Sequence, residues 1–429
     1  MRVLLTGANG FIGAAVLTAL RQAGHEVVAV TRRRAAPASP GIDYVRLDLR
    51  TATRPEHWLP HLAGVEAVVN CAGVLQDGAA DSVSAAHVDG VGALFAACEQ
   101  AGVRRVIHLS AVGVDREAPT PFSQTKLAGD EALMARDLDW VILRPSVVVG
   151  RRAYGGSALF RGLAALPILP VAAETGPLQV VQLDDLLRTI LFFLKPDAPA
   201  RVVLEVVGPQ PLPMTDVVQA YRRWLGWRRA PVLRLPRWLS RAMYRAGDFF
   251  GLLGWRPPMR STAEREIVRG AVGNPIEWTR VTGIQPQPLE LALAAEPASV
   301  QERWFARMYF VKPLIFVTFS AFWIATGLVS LGPGFKIGKA MMLEGGTSEG
   351  FANFSVIAGG LADLLIGLAI AYRPTVRYGL YAALAISLFY AVMGTILLPR
   401  LWIDPLGPML KIWPIIALNI TALAIVDDR

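Results

Sequence analysis

Gly7, Gly10 and Gly13 stand at the spacing G-x-x-G-x-x-G, directly after an apolar run from Met1 to Thr6 and at the head of a second apolar stretch, Phe11 to Leu20. Residues of this kind can bind a pyrophosphate. Glycines let backbone N–H groups approach an anion with no side chain in the way. A helix N-terminus adds unpaired donors and the positive end of a dipole. The chemistry needs a strand before the turn and a helix after it, and the flanking pattern predicts both. Asn9, Phe11 and Ile12 lie between the glycines and complete the expected binding stretch.

The elements that must hold this turn follow from the next 200 residues. Apolar runs predict strands at Val27–Thr31, Tyr44–Leu47, Ala67–Asn70, Val106–Ser110 and Trp140–Arg144, with helices at Leu94–Ala101 and Lys126–Arg136 between them. Short buried strands joined by helical crossovers predict an α/β fold, a doubly wound parallel sheet covered on both faces. The second strand ends Val-Ala-Val-Thr-Arg32-Arg33-Arg34, where an acidic residue would bind the ribose 2′-hydroxyl of NAD(H). Arginine suits a 2′-phosphate through planar, charge-assisted hydrogen bonds. NADP(H) is therefore expected over NAD(H), with Arg32 the best placed of the three.

These residues carry a family resemblance over about residues 1–295. TGANGFIG, then Asp48-Leu49, then Asn70-Cys71-Ala72-Gly73, resembles the short-chain dehydrogenase/reductase superfamily, a Rossmann fold. The resemblance places Asp48 and Leu49 near the adenine and Cys71, Ala72 and Gly73 along the cofactor. Ser110, in His-Leu-Ser at the end of the fifth strand, falls where that family has its catalytic serine. Arg144-Pro145-Ser146 through Gly150 is similar to the R-P-x-x-V-x-G segment of the extended and atypical branches, with Pro145 beside the cofactor. Val181-Gln182-Leu183-Asp184-Asp185-Leu186 is similar to their V-H-V-x-D segment.

The same resemblance implies a Tyr-x-x-x-Lys pair, in which the tyrosine moves a proton while the lysine lowers its pKa and holds the nicotinamide ribose. Here Lys126 is present and Phe122 stands where the tyrosine should be. Phenylalanine has no proton to give, and general acid catalysis is worth about 10²- to 10⁴-fold. Three readings stay open. The domain binds NADP(H) without chemistry; Ser110, Ser123 or a water supplies the proton; or another tyrosine serves, Tyr154 being the nearest downstream. The pattern is most similar to the atypical group that includes a complex I accessory subunit, down to Leu233–Leu253, Gly273-Asn274 and Gly283-Ile284-x-Pro286.

Composition bounds the remainder. The chain has 429 residues, 53% hydrophobic and only 18% charged, below the soluble norm of about 25%. A formal net charge of +9 raises the question of a polyanionic partner, but the basic residues form no Lys-rich runs with interleaved aromatics, so nucleic acid is not expected. Cys71 and Cys98 make no disulfide framework and fit a reducing compartment. Residues 1–30 read as strand, turn, helix and strand rather than a signal peptide.

Between Arg222 and Arg269 stand twelve arginines against three carboxylates, with Trp224, Trp227, Trp238 and Trp255 interspersed. In Pro236–Leu253, Arg237, Arg241 and Arg245 share one helical face, and Trp238, Leu239, Ala242, Met243 and Ala246 are expected near the other. Such a helix suits anionic lipid head groups. Four apolar runs follow, Tyr309–Leu331, Phe354–Tyr372, Tyr378–Leu398 and Pro408–Val426, each near the ~20 residues that span a bilayer. The expected architecture is thus a Rossmann domain (1–220), a small α-rich basic lobe and linker (221–304) and an all-α four-helix transmembrane bundle (305–429). The last resembles the DoxX-like family in span number, domain order and an acid, Asp363, inside the second span.

Basic flanks place Arg303, Arg307, Lys312, Arg373, Arg377 and Arg429 opposite Lys336, Lys339, Arg400 and Lys411. The expected location is the cytoplasmic (inner) membrane, with the N-terminal domain and the C-terminus cytoplasmic. Asp363 is costly inside a membrane and predicts either a helix–helix polar contact or a site for proton or quinone chemistry. The functions in competition are a membrane-tethered NADP(H)-dependent oxidoreductase acting toward a lipid or quinone, a non-catalytic NADP(H)-binding module of a membrane assembly with a protein partner, and nucleotide-sugar epimerisation or dehydration. The last is disfavoured by Phe122, because such reactions also begin with a tyrosine-assisted hydride step.

Overall fold

Seven strands pair in parallel: β1 (Arg2–Thr6), β2 (Glu26–Thr31), β3 (Ile42–Arg46), β4 (Ala67–Asn70), β5 (Arg105–Leu109), β6 (Asp139–Pro145) and β7 (Val202–Val206). The spatial order β7-β6-β5-β4-β1-β2-β3 reverses direction between β1 and β4, which are in register from Val3 opposite Ala67 to Thr6 opposite Asn70. The computed structural model describes residues 1–32, 40–75, 77, 82–117 and 119–427. Arg33, Arg34 and Arg429 lie outside the described residues.

The sheet is buried on both faces, as its continuous apolar strands require. On one face α1 (Phe11–Gln22) and α4 (Leu183–Phe193) cover Val3, Leu5, Val27, Val69 and Ile107, with Trp278 fully buried among them. On the other, α2 (Gly90–Ala101) covers Leu4, Val28, Val68 and Val106, with Trp58 enclosed at the edge. The seventh strand was not among the expected ones. It lies beyond the crossover through α4 and pairs with β6 from Val202 opposite Val141 to Val206 opposite Pro145.

The chain divides into two compact units, residues 1–249 with 257–306, and residues 250–256 with 307–429. The first unit carries the sheet and a helical lobe. The lobe is tied down by α4. Asp185, fully buried, accepts from the Gln287 backbone N–H at 2.9 Å, and Trp278 Nε1 donates to Thr189 Oγ1 at 2.9 Å. The helix expected at Pro236–Leu253 runs over α5 (Arg237–Leu252). Arg237, Arg241 and Arg245 lie along one side of it at i, i+4 and i+8, and all three are exposed. Ser240 and Tyr244 are buried, while Trp238 (70% exposed), Phe249 (58%) and Leu252 (78%) share the exposed side with Arg241 and Arg245. The lobe needs only a narrow strip of small and aromatic residues, so the larger apolar side chains remain outside.

Among the described residues, three helices are long and apolar enough to cross a membrane: α6 (Val300–Leu331), which begins in the first unit, and, wholly within the second unit, α7 (Glu349–Ala371) and α8 (Val376–Leu397). The fourth expected span, Pro408–Val426, is helical only over the 14 residues of α9 (Ile412–Ile425). At 1.5 Å per residue this is about 21 Å, short of a ~30 Å hydrocarbon core. The turns around Asp404-Pro405 and Gly407-Pro408 take up the residues that would lengthen it. Between α6 and α7 an unexpected short helix covers Phe335–Glu344.

Small residues allow α6 and α7 to approach closely. A Cβ on Gly327 would lie 2.6 Å from the Gly360 carbonyl oxygen. Leu253 and Trp255 cap one end of this unit: Leu253 O accepts from Arg373 N at 2.9 Å, and Trp255 Nε1 donates to Ala371 O at 2.7 Å. The Arg373 guanidinium stands over the Trp255 ring at 5.4 Å and donates to Val426 O at 2.8 Å.

Candidate functional site

The glycine turn sits at the carboxyl end of β1, at the point where strand order reverses, which is where open α/β sheets bind ligands. Gly7 has φ +67°, and a Cβ there would lie 2.8–2.9 Å from the backbone of Cys71 and Ala72. Gly10 N donates to Gly7 O at 2.8 Å, closing the turn, and Gly10 is the N-cap of α1. A Cβ on Gly13 would stand 2.1 Å from Gly7 O, so only glycine lets α1 begin this close to the turn. Asn9 is exposed, while Phe11 and Ile12 are half-buried at the first turn of α1. The Tyr154 ring, 45% exposed, stacks on Phe11 with centroids 5.7 Å apart.

The second and third strands place the expected adenine-side residues. Arg32 follows β2 and is exposed. Asp48 accepts from the Arg50 guanidinium at 2.7 Å; that bond, with a smaller contribution from the Arg32 charge, holds its carboxyl below the usual range. Leu49 is buried, with its carbonyl 2.3 Å from where a Cβ on Gly90 would be.

Beneath the turn a polar network crosses the sheet. Thr6 Oγ1 donates to Asn70 Oδ1, and the Ala72 N–H approaches that same oxygen at 3.3 Å. Asn70 therefore presents its amide nitrogen to His108 Nδ1, at 2.8 Å. This fixes the His108 tautomer, with the proton on Nε2, 3.5 Å from Asp130 Oδ1. Burial holds His108 well below its ordinary pKa and so neutral. The other Asp130 oxygen accepts from Ser110 Oγ at 3.0 Å and Arg144 Nε at 3.1 Å, and Arg144 also pairs with Asp115 at 2.6 Å. Pro145, next along β6, is buried. The expected catalytic serine thus has its proton committed to a buried carboxylate.

Helix α3 (Pro121–Met134) begins with its own cap. Thr120 Oγ1 accepts from Ser123 N at 3.1 Å, Ser123 Oγ accepts from Thr120 N at 2.8 Å, and Pro121 sits at the first helical position. Ser123, 1% exposed, gives its hydroxyl proton to Thr120 O at 3.1 Å. Lys126 is 5% exposed and donates from Nζ to Leu109 O at 2.7 Å. Burial lowers it to about 8, with Asp130 and Cys71 opposing the shift. A Cβ on Gly73 would lie 3.2 Å from Lys126 Nζ, so the turn after β4 can pass this close to the amine only without a side chain.

Phe122, half-buried, packs edge-on against His87 at 5.7 Å. His87 Nε2 accepts from the Val74 N–H at 3.0 Å, so its proton is on Nδ1, facing Thr125 Oγ1 at 3.0 Å. Burial, with Lys126 and His108 nearby, pushes His87 down to about 2. Cys71 is pushed up to about 12 by burial.

Sequence reasoning did not single out His87, Asp130 or the Phe11–Tyr154 stack. Asp130 was legible as the residue one helical turn beyond Lys126. His87 has no local signature, because its role is set by Val74, Phe122 and Thr125 from other elements. In the second unit Asp363, 2% exposed on α7, accepts from the Tyr390 hydroxyl of α8 at 3.1 Å, a helix–helix polar contact.

Residues 7–160 match the NAD(P)H-binding family model, and residues 320–420 match the DoxX-like family model. A short-chain-dehydrogenase-like Rossmann domain precedes a DoxX-like domain. An uncharacterised protein of Mycobacterium tuberculosis is 27% identical over 234 residues, 54% of this chain and 25% of the relative, so this chain spans about a quarter of that protein's length. The ceramide reductase of Caulobacter vibrioides is 26% identical over 240 residues, 54% of this chain and 73% of the relative. Among solved structures, the Bordetella bronchiseptica enzyme WbmG in complex with NAD is 17% identical with a TM-score of 0.55, covering 72% of this chain and 96% of that one. This likeness is one of fold.

Proposed function

We propose that the chain is a membrane-anchored NADP(H)-binding oxidoreductase that works without the usual tyrosine and acts on a membrane-soluble carbonyl compound or quinone. The observation that carries this is the glycine turn at the point where strand order reverses, with Lys126 buried nearby and Phe122 four residues before it. Gly7 and Gly13 let the turn close tightly on the backbone of Cys71, Ala72 and Gly7 itself, and Gly73 brings the next turn close to the Lys126 amine. In this reading Gly7, Asn9, Gly10, Phe11, Ile12 and Gly13 hold the pyrophosphate. Asp48 and Leu49 flank the adenine, Cys71, Ala72, Gly73 and Pro145 line the nicotinamide side, and Lys126 holds the ribose. Arg32, on the same side as Asp48, receives the 2′-phosphate and favours NADP(H).

Substrate class follows from what is attached. A helical unit with three spans of membrane length supports a substrate drawn from the bilayer, and similarity to a ceramide reductase supports a lipid carbonyl. Basic flanks at Arg303, Arg307, Lys312, Arg373 and Arg377 support an inner-membrane arrangement with the N-terminal domain and the C-terminus on the cytoplasmic side. In it α9 completes a fourth, shorter crossing, and Trp238, Arg241, Arg245 and Phe249 meet anionic head groups.

A second reading is favoured by one observation. The hydroxyls of Ser110, Ser123 and Thr125 are all engaged with protein acceptors, as in a domain that binds NADP(H) for structural or regulatory ends. The two readings separate in lipid nanodiscs under single-turnover conditions, with NADPH and long-chain ketones or quinones. Oxidation of NADPH coupled to substrate reduction supports the oxidoreductase. Stoichiometric binding without oxidation supports the module.

A further inference from the structure

We propose that the Lys126 ammonium itself hands the proton to the oxygen of a bound carbonyl substrate, directly or through one water, in the role left vacant at Phe122. The inference rests on the oxidoreductase reading and assigns its acid. Hydrogen-bond bookkeeping carries it. Ser110 gives its proton to Asp130, Ser123 to Thr120 O and Thr125 to Pro121 O. His87 is filled on both ring nitrogens by Val74 N and Thr125 Oγ1. Phe122 has none to give. Lys126 Nζ has three, and the structure shows one of them directed to Leu109 O. The turn that borders the switch point comes close to the amine at Gly73, where a Cβ would lie 3.2 Å from Nζ.

The charges facing Lys126 come from every neighbouring element. Asp130 lies one turn along α3 and favours the ammonium; Cys71, after β4, does so weakly because burial keeps its thiol protonated. His87 and His108 are both neutral and so add no competing charge. Burial outweighs the favourable terms and leaves the amine titrating near 8, where an acid active around neutrality should sit.

When bound, the reduced nicotinamide supplies the hydride, two electrons and a proton, to the carbonyl carbon and is oxidised in doing so. The carbonyl oxygen then takes the Lys126 proton as the C=O π bond becomes a C–O single bond and an O–H bond. Lys126 is left as the amine, still anchored at Leu109 O, and regains its proton from solvent. The rate of reduction should fall as pH rises through about 8, and the rate of alcohol oxidation, which needs the amine, should rise over the same range.

The test uses the full chain in nanodiscs with two readouts. First, NADPH binding is measured by calorimetry in buffers of different ionisation enthalpy between pH 7 and 9. Wild type should exchange protons with the buffer on binding, and Lys126→Arg, which keeps a charge that does not titrate there, should bind without exchange. Second, single-turnover reduction in Lys126→Arg should drop about 100-fold or more and lose its limb near pH 8, while Gly92→Ala, inside α2 with nothing within 4 Å of the new Cβ, keeps both rate and limb. Equal proton exchange in Lys126→Arg overturns the proposal, as does an unchanged pH profile. Proton exchange with no turnover in any variant overturns the oxidoreductase reading and the acid role with it, leaving Lys126 a ribose anchor.

Discussion

Replacing Gly13 by alanine tests the cofactor cradle at its tightest point. The new Cβ would stand 2.1 Å from Gly7 O and 2.7 Å from Gly7 C. Ordinary contact begins near 3.4 Å, so the first turn of α1 must retreat by about 1.3 Å. In the proposed reading the N–H groups that would face a pyrophosphate sit on that turn, and N–H···O bonds tolerate only about 2.7–3.2 Å. At least one charge-assisted bond is then lost, at about 1.5–3 kcal/mol. This predicts a 10- to 150-fold (order-of-magnitude) rise in the Kd for NADPH, with about 1–3 kcal/mol of stability lost to overpacking.

Titration calorimetry of the chain in nanodiscs reads the first effect and thermal unfolding the second. Gly92→Ala is the control. Nothing lies within 4 Å of its Cβ, inside α2, so it should bind normally and gain up to about 1 kcal/mol. A folded Gly13→Ala protein with wild-type affinity would refute the placement of the nucleotide at this turn.

Phe122→Tyr should raise single-turnover carbonyl reduction by about 10²-fold or more, because it supplies a phenol four residues before Lys126; no gain would mean that the substrate oxygen does not lie there. Arg32→Ala should weaken NADPH about tenfold while leaving NADH nearly unchanged, and competition titrations that give an unaltered ratio would remove the preference for NADP(H). Acidification should destabilise the first unit. His87 and His108 titrate far below 6.5 when folded, so below 6.5 the unfolded chain binds protons that the folded chain refuses. Stability is thus lost as pH falls from 6.5, at about 1.4 kcal/mol per pH unit for each histidine. Denaturant titrations at pH 6.5, 6 and 5 that show a flat stability would contradict their buried, neutral state.

What could be read from the chain alone follows from the range of the interactions involved. The glycine turn is local: strand, turn and helix lie within 22 residues and each obeys its own pattern. The start of α3 was equally local and was placed too late, at Lys126, although Thr120-Pro121-x-Ser123 spells an N-cap, a first-turn proline and a returning hydroxyl. Ser110 could not be read this way. Its proton is taken by Asp130, twenty residues on, and that carboxylate is held in turn by Arg144 from β6. The basic and apolar faces of α5 follow from the helical period, whereas the strip at Ser240 and Tyr244 that the lobe covers does not. The last span was begun at Pro408, whereas residues 408–411 form turns and α9 starts at Ile412.

The most direct measurement is mass analysis of nucleotide released from the purified full chain in lipid, followed by NADPH titration of the emptied protein. The account predicts NADP(H) at a stoichiometry near one per chain, rebinding to wild type and weakly to Gly13→Ala. Protein that releases no nicotinamide nucleotide, and takes up neither NADPH nor NADH when folded, would contradict it.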